Sequence, residues 1–237
     1  MEELARGYGQ YCPIVRAVEV LGERWSMLIV RDLLLGTTRF NDLARGLPGL
    51  SRSLLSRRLR QLELAGIVVK RDAEYHLTPA GLDLEPIVFG LGAWGARWAF
   101  GPPKEEELDP EVLLWWAHTR IDATVLPDRR VVLAFVLSEP RFHAWLVVDD
   151  AGVSVCKADP GFEVDATLTT PVATLSEVWL GRIPIVDAMR RGDLVVTGRR
   201  EVVDAVPRAL LLSQIADVVR EAELVRAAAE GRPGPRA

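Results

Sequence analysis

The chain has little of what enzymes and metal proteins are built on. Two cysteines, Cys12 and Cys156, stand far apart in 237 residues. Such a pair supplies neither a disulfide framework nor metal-ligand spacing, and a reducing cytoplasm is the expected compartment. The three histidines, His76, His118 and His143, are isolated from one another and from the cysteines, with no two placed four apart on a helix to hold an ion. No metal site and no cofactor are therefore expected. A phosphate-cradling glycine loop, a nucleophile elbow and a paired-carboxylate signature are all missing, and Asp149-Asp150 falls in a turn. No catalytic residue is assigned, and an enzyme is not expected. The longest apolar runs, such as Val131 to Leu137, are far too short to cross a bilayer. The opening MEELARGYGQ is too acidic and polar for a signal peptide. No membrane partner is expected.

What remains describes a soluble globular protein of two domains. A length of 237 residues is comfortable for two, at roughly 100–200 residues each, and 49% apolar content can build real cores. The formal net charge of −4 is unevenly spread. Residues 39–71 carry eight basic side chains (Arg39, Arg45, Arg52, Arg57, Arg58, Arg60, Lys70, Arg71) against Asp42 and Glu63, a net of +6. Residues 101–237 carry 16 basic and 22 acidic side chains, a net of −6. A basic segment on an otherwise acidic chain suits local binding to a polyanion.

Within that segment, Leu55, Leu59, Leu62 and Gly66 share one helical stripe, while Arg52, Ser53, Ser56, Arg57 and Arg60 share another. Ser51 is placed to cap the helix and Gly66 to end it in a left-handed turn. Guanidiniums and hydroxyls can reach phosphates and base edges. Taken alone, this helix is equally a basic, solvated surface.

Its neighbours decide the matter. Residues 1–11 read as a loose arm. A helix starts at Cys12-Pro13 with Ile14, Val18 and Leu21 on one stripe, and stops at Gly22. A second helix covers Arg24 to Leu35. A short third one, capped by Thr37 or Thr38, precedes the Pro48-Gly49 turn. After the basic helix, Ile67–Arg71 and Glu74–Leu77 read as two strands around Asp72-Ala73, and one helix is expected from Thr78-Pro79 to about Trp98. The order is that of a winged helix–turn–helix.

Residues 12–98 closely resemble the HxlR-type regulators, a bacterial family near the MarR group. The resemblance rests on Cys12-Pro13, Gly22-Glu23-Arg24-Trp25, Arg39-Phe40-Asn41-Asp42-Leu43, Leu50-Ser51 through Leu62-Glu63-Leu64-Ala65-Gly66, and Tyr75-His76-Leu77-Thr78-Pro79-Ala80-Gly81. It implies a homodimeric DNA-binding repressor or activator of transcription, with repression the leading expectation. The interface would lie on the helix after the wing and the N-terminal segment. On double-stranded DNA, Arg52, Ser53, Ser56 and Arg57 would lie nearest the bases, beside the capping Ser51. Arg60, Lys70, Arg71 and Arg39 would lie near phosphates. Two-fold symmetry calls for a pseudopalindromic operator. The apolar helix carrying Leu82, Ile87, Phe89, Leu91, Trp94 and Trp98 needs cover, from a second copy or from its own chain's second domain.

Domain limits are expected at 1–100, a linker at 101–110, a second domain at 111–225, and a flexible tail at 226–237. The second domain reads as a helix over Glu111–Arg120 and strands at 131–137, 142–148, 152–156 and 166–169. Helices follow at 171–181 and 184–191, then a strand at 194–197 and a long last helix from Glu201. The expected fold is α+β, an antiparallel sheet covered by helices. Asp165 to Thr170, Leu175 to Ile183 and Asp187 to Gly198 resemble the sterol-carrier-protein-like fold. That resemblance implies an apolar cavity suited to an acyl chain, a sterol or a similar effector. Trp115, Trp116, Phe135, Phe142, Trp145, Trp179, Ile183 and Met189 are its candidate lining, although any one of them read singly is a core residue.

Two alternatives stand beside ligand control. Cys12 precedes a helix N-terminus, where thiolate is favoured, and in some HxlR-type proteins a cysteine there senses oxidants, quinones or aldehydes. The inert reading, a small buried thiol, stands ahead of that one. The other alternative is a lipid carrier or interaction protein without specific DNA readout, against which the +6 segment counts.

Overall fold

Pro13 has no amide to leave unbonded, and it opens α1 (Pro13–Leu21) directly behind an extended Cys12. The computed structural model describes residues 8–229. Residues 1–7 of the expected arm and 230–237 of the expected tail lie outside them. The chain divides into two compact units, 1–91 and 92–237.

In the first unit α2 (Ser26–Leu34) starts two residues later than its sequence pattern suggests. Trp25 adopts a left-handed φ of 81° ahead of it, a conformation bulky residues rarely take. Next come α3 (Phe40–Gly46) and α4 (Arg52–Leu64), joined by the Pro48-Gly49 turn. The expected threonine cap on α3 is absent. Arg39 holds the cap position, and the Thr38 hydroxyl instead donates to Glu74 at 3.0 Å. Ser51 does cap α4, its Oγ accepting from the Leu54 amide at 3.3 Å, and Gly66 leaves the helix at a φ of 71°. The hairpin of β1 (Val68–Arg71) and β2 (Glu74–Leu77) turns at Asp72 and Ala73, both left-handed, as a two-residue turn requires. Arg39 forms a further rung opposite Glu74. Ile29, Leu43, Leu55, Leu59 and Leu62 make the dry core.

The single helix expected over 78–98 is two, α5 (Pro79–Leu82) and α6 (Glu85–Trp98). Pro86 lacks the N–H that would bond the Leu82 carbonyl, so the ladder breaks and restarts there. Residues 92–98 of α6 belong to the second unit.

After α6 that unit continues with a 3-10 turn at Glu105–Glu107 and then α7 (Pro110–His118), whose first amides bond the Asp109 carboxylate. A sheet of β3 (Val131–Ser138), β4 (Phe142–Asp149), β5 (Gly152–Cys156), β6 (Ala166–Pro171) and β7 (Val195–Gly198) follows in the order β5-β4-β3-β6-β7. It is mixed, not antiparallel. Beyond edge strand β5, residues 157–165 carry the chain back past β4 and β3, so β6 enters parallel to β3 with Leu133 opposite Ala166. Asp165 fastens this crossover, accepting from the Val132 amide at 2.9 Å and from Arg129 at 2.8 Å. The remaining helices are α8 (Val172–Trp179), α9 (Ile185–Arg191), α10 (Arg200–Ala209) and α11 (Ala216–Ala229). The expected single last helix is interrupted because residues 209–211 pair with 120–122. Asp122 donates to the Ala209 carbonyl at 2.8 Å and Leu211 to that of Arg120 at 3.0 Å. One face of the sheet (Leu133, Phe135, Ala144, Leu146, Leu168) carries the helices, through Leu114, Leu175, Val178, Val202 and Val206.

Candidate nucleic-acid interface and apolar cavity

Helix α4 has two unlike sides. Leu55, Leu59 and Leu62 are fully buried, whereas Arg52, Ser53, Ser56, Arg57 and Arg60 are exposed. Arg57 and Arg60 make no ion pair or hydrogen bond among the described residues, nor does Arg71 at the wing tip. Their guanidiniums are free to meet an anion. Arg52 is more constrained: it donates to the Asn41 side chain and lies 5.5 Å above the Phe40 ring, so α3 holds it in place. Ser51 and Ser53 share a hydroxyl contact of 3.2 Å. On the wing, exposed Lys70 rests 5.2 Å from the centre of the Tyr75 ring.

Arg39 is differently employed from the sequence expectation. Its Nε donates to Glu74 at 2.9 Å. The bonds from Arg39 and then Thr38 hold the Glu74 carboxyl below its ordinary range. Arg39 thus ties the entry of α3 to the wing, although its side chain stays 73% exposed.

Arg58 is the functional residue that charge counting misreads. Adjacent to Arg57 and identical in type, it is buried. It donates to the Arg24 carbonyl at 3.1 Å, to Gln61 at 2.6 Å and to Glu23 at 2.5 Å. Those bonds secure the Gly22–Trp25 turn in which Trp25 is left-handed. The helical stripe could have disclosed it, since Arg58 falls between Leu55 and Leu62 on the buried side. With Arg58 removed, the exposed cations of the basic segment are Arg52, Arg57, Arg60, Lys70 and Arg71, beside Arg39 and Arg45, which are exposed but paired with Glu74 and Asp42.

Cys12 is half-buried at the start of α1, and its side chain caps no helix amide. No residue of α1 is buried, and Ile14 and Val18 stay exposed. On α5 and α6 Leu82, Ile87, Leu91, Trp94 and Trp98 are likewise exposed. Only Ala96 of α6 is buried, against Val219 and Ala222 of α11.

In the second unit a cavity of about 20 Å³ is lined by Leu113, Ala117, Phe135, Leu175, Val178, Trp179 and Leu210–Leu212. That is space on the order of one water molecule. Of the eight candidate lining residues, Phe135 and Trp179 border it. Trp115 and Trp116 sit half-buried on α7 beside that wall without reaching the cavity, and the Trp115 ring lies 4.5 Å from that of His118. Phe142, Ile183 and Met189 pack at the margin of the core. Trp145 stands on the opposite face of the sheet, between Ala134 and Cys156 on the neighbouring strands. Leu210–Leu212 had no aromatic or motif signal. They line the cavity because the chain leaves α10 there.

Among the described residues no group of three or more histidine, cysteine or acidic side chains could hold a metal ion. No described helix is long and apolar enough to cross a membrane.

Comparison with known proteins bears on both units. A family model described as HxlR-like helix-turn-helix matches residues 20–101, and one for the SCP-2 sterol transfer family matches residues 127–210. YvaP, an uncharacterized HTH-type transcriptional regulator of Bacillus subtilis, is 43% identical over 98 residues, which span 38% of this chain and 90% of YvaP. Mb3122, an uncharacterized HTH-type transcriptional regulator of Mycobacterium bovis, is 41% identical over 131 residues, spanning 48% of this chain and 82% of Mb3122. Among solved structures, quinone-bound YodB from B. subtilis is 32% identical with a TM-score of 0.34, covering 37% of this chain and 99% of that one.

Proposed function

Because the chain belongs to the HxlR-like helix-turn-helix family of transcriptional regulators, with an SCP-2-type domain following the DNA-binding one, we propose that it is a cytoplasmic, homodimeric repressor released by an apolar small molecule. The observation that carries the DNA half is the exposed, unpartnered pair Arg57 and Arg60 on the outer side of α4, with Lys70 and Arg71 on the wing. In this reading α4 enters the major groove with Arg52, Ser53, Ser56 and Arg57 at base edges, and Arg60, Lys70 and Arg71 at phosphates. Arg39 serves the wing and contributes a weaker, peripheral positive charge. The uncovered apolar positions of α1, α5 and α6 support pairing with a second copy, since isolated patches of that kind are usually covered. A dimer then reads a pseudopalindromic site.

The effector half rests on the cavity lined by α7, α8 and Leu210–Leu212. Its walls are apolar, and at about 20 Å³ it must open to admit an acyl chain. An effector that binds the opened arrangement better shifts the population toward it.

The test is a mobility-shift titration of the full chain on genomic fragments selected by the wild-type protein. Arg57→Ala is expected to weaken binding by about 1–3 kcal/mol and to relax base preference, and Arg60→Ala to lower the slope of log affinity against log salt by about 0.9 for a lost phosphate contact. Unchanged binding in both would show that α4 is not the reader. Dodecanoate serves as the apolar probe, and a wild-type complex indifferent to it at saturation of the second unit counts against effector control.

One observation favours a second route of control. Cys12 makes no cap bond and is only half-buried at the start of α1, so an oxidant can reach its thiol. Diamide-induced DNA release that disappears in Cys12→Ser would assign the switch to the thiol.

A further inference from the structure

Three charged side chains of the second unit close on the end of α6, and neither the DNA reader nor the cavity uses them. Arg226 of α11 donates to the carbonyls of Ala96, of Arg97 at 3.2 and 3.3 Å, and of Phe100 at 2.7 Å. The carbonyls of Ala96 and Arg97 are those a helix end leaves without amide partners, and a cation there also meets the negative pole of the helix. Glu223 holds Arg226 at 3.1 Å on one side and Arg182 at 3.1 Å on the other. Arg182 in turn donates to the Gly101 carbonyl at 3.1 Å and lies 4.7 Å over the Phe100 ring. Its Nε is buried without a partner. Beneath these charges Ala96 packs on Val219 and Ala222.

The other end of this cluster is the cavity wall. Val178 and Trp179 line the cavity, and Arg182 follows Trp179 by three residues. Between them Gly181, at a φ of 73°, lies so close to α11 that a Cβ there would be 3.2 Å from that of Ala216. The Trp179 carbonyl also accepts from Ser213 at 2.9 Å, just beyond Leu210–Leu212. A displacement of Trp179 therefore has a short, packed route to Arg182.

We propose that the Arg182–Glu223–Arg226 cluster is a clamp through which the state of the apolar cavity sets the hold on α6, the helix whose first half belongs to the DNA-binding unit. This rests on the reading of the cavity as the effector site and of α4 as the DNA reader. When the cavity opens, Trp179 moves, Arg182 releases Gly101 and Phe100, and Glu223 no longer positions Arg226 on the α6 carbonyls. Packed interfaces with two discrete arrangements transmit small shifts in this way. Arg182, Glu223 and Arg226 are positioning residues, and none of them touches DNA or effector.

The experiment is amide hydrogen exchange across residues 96–101 together with DNA affinity, on the full chain. Arg226→Gln should speed exchange there by about tenfold and change DNA affinity by about fivefold, while protection of α4 stays unchanged. Arg226→Lys keeps the charge but loses the fork, and should restore part of both. Trp179→Ala mimics the opened cavity and should loosen the same amides. In an Arg182→Gln background it should add less than about twofold, the mark of a shared route. Independent, multiplying effects of Trp179→Ala and Arg182→Gln would overturn the route through Arg182. So would loosened amides with DNA affinity unmoved. A wild-type chain that selects no DNA overturns the DNA-reading premise, and the proposal with it.

Discussion

Arg57 and Arg58 are the same residue type at adjacent positions, and they should fail in opposite ways. Replacing Arg58 by Met keeps most of its buried apolar length but removes three hydrogen bonds, to Arg24, Gln61 and Glu23. Two of them end on neutral oxygens and are worth about 1 kcal/mol each. The third is charge-assisted, but Glu23 is 56% exposed and can be resolvated, so it contributes about 1 kcal/mol rather than the value of a buried pair. The expected loss is roughly 3 kcal/mol, or a hundredfold faster exchange of the slowest α4 amides. Arg57→Met should leave those amides unchanged, because Arg57 has no partner to lose. In DNA binding the pair inverts. Both variants remove one positive charge from α4, but only Arg57→Met takes away a side chain placed at base edges, so only Arg57→Met should weaken binding to the selected site at fixed folded fraction, by about 1–3 kcal/mol. Equal affinities of the two folded variants, or α4 protection in Arg58→Met within about threefold of wild type, would refute the separation of the two arginines into reader and strut.

Other outcomes follow from the same geometry. Burial pushes the Asp32 carboxyl up to about 6 from an ordinary 3.8, with Arg31 opposing. Its folded pKa lies above the unfolded one, so this stabilisation is complete below the unfolded value and is lost as pH rises through about 6. The first unit should therefore gain about 1.4 kcal/mol from pH 7.5 to 5, seen as increased α2 protection, and Asp32→Asn should flatten the dependence. Gly198 has a φ of 139°, and a Cβ there would collide with the Asp165 carbonyl and lie 2.7 Å from the Ala166 Cα. Gly198→Ala should thus cost the second unit more than about 3 kcal/mol in denaturant unfolding. Ile87→Glu with Leu91→Glu should turn a dimer into monomers in sedimentation experiments without lowering α4 protection, because both positions are exposed in the single chain.

The first unit was legible in the sequence because local signals agree there: Pro13 opens a helix, Ser51 caps one, Gly66 ends it, and Asp72-Ala73 turns the wing. Where the sequence misled, a distant partner decided the outcome. Thr38 goes to Glu74 of the wing instead of capping α3. Arg58 reads as surface charge until the turn it supports is in view. In the second unit each strand was visible as an apolar run, but not the parallel pairing of β6 with β3, because nothing local records which side of β3 the chain returns to. Alternation could have placed Trp145 away from Phe142 and Ala144, since it stands an odd number of residues from each along β4. The break after Ala209 depends on pairing with residues 120–122, a contact no periodicity contains.

The most direct test is the salt dependence of DNA binding by the full chain, wild type against Arg57→Ala with Arg60→Ala. If the outer face of α4 meets DNA, wild-type affinity falls steeply with salt and the double variant binds more weakly, with a slope lower by about 0.9 for the Arg60 phosphate contact. A double variant with wild-type affinity and slope would contradict the assignment of α4 as the DNA-reading element.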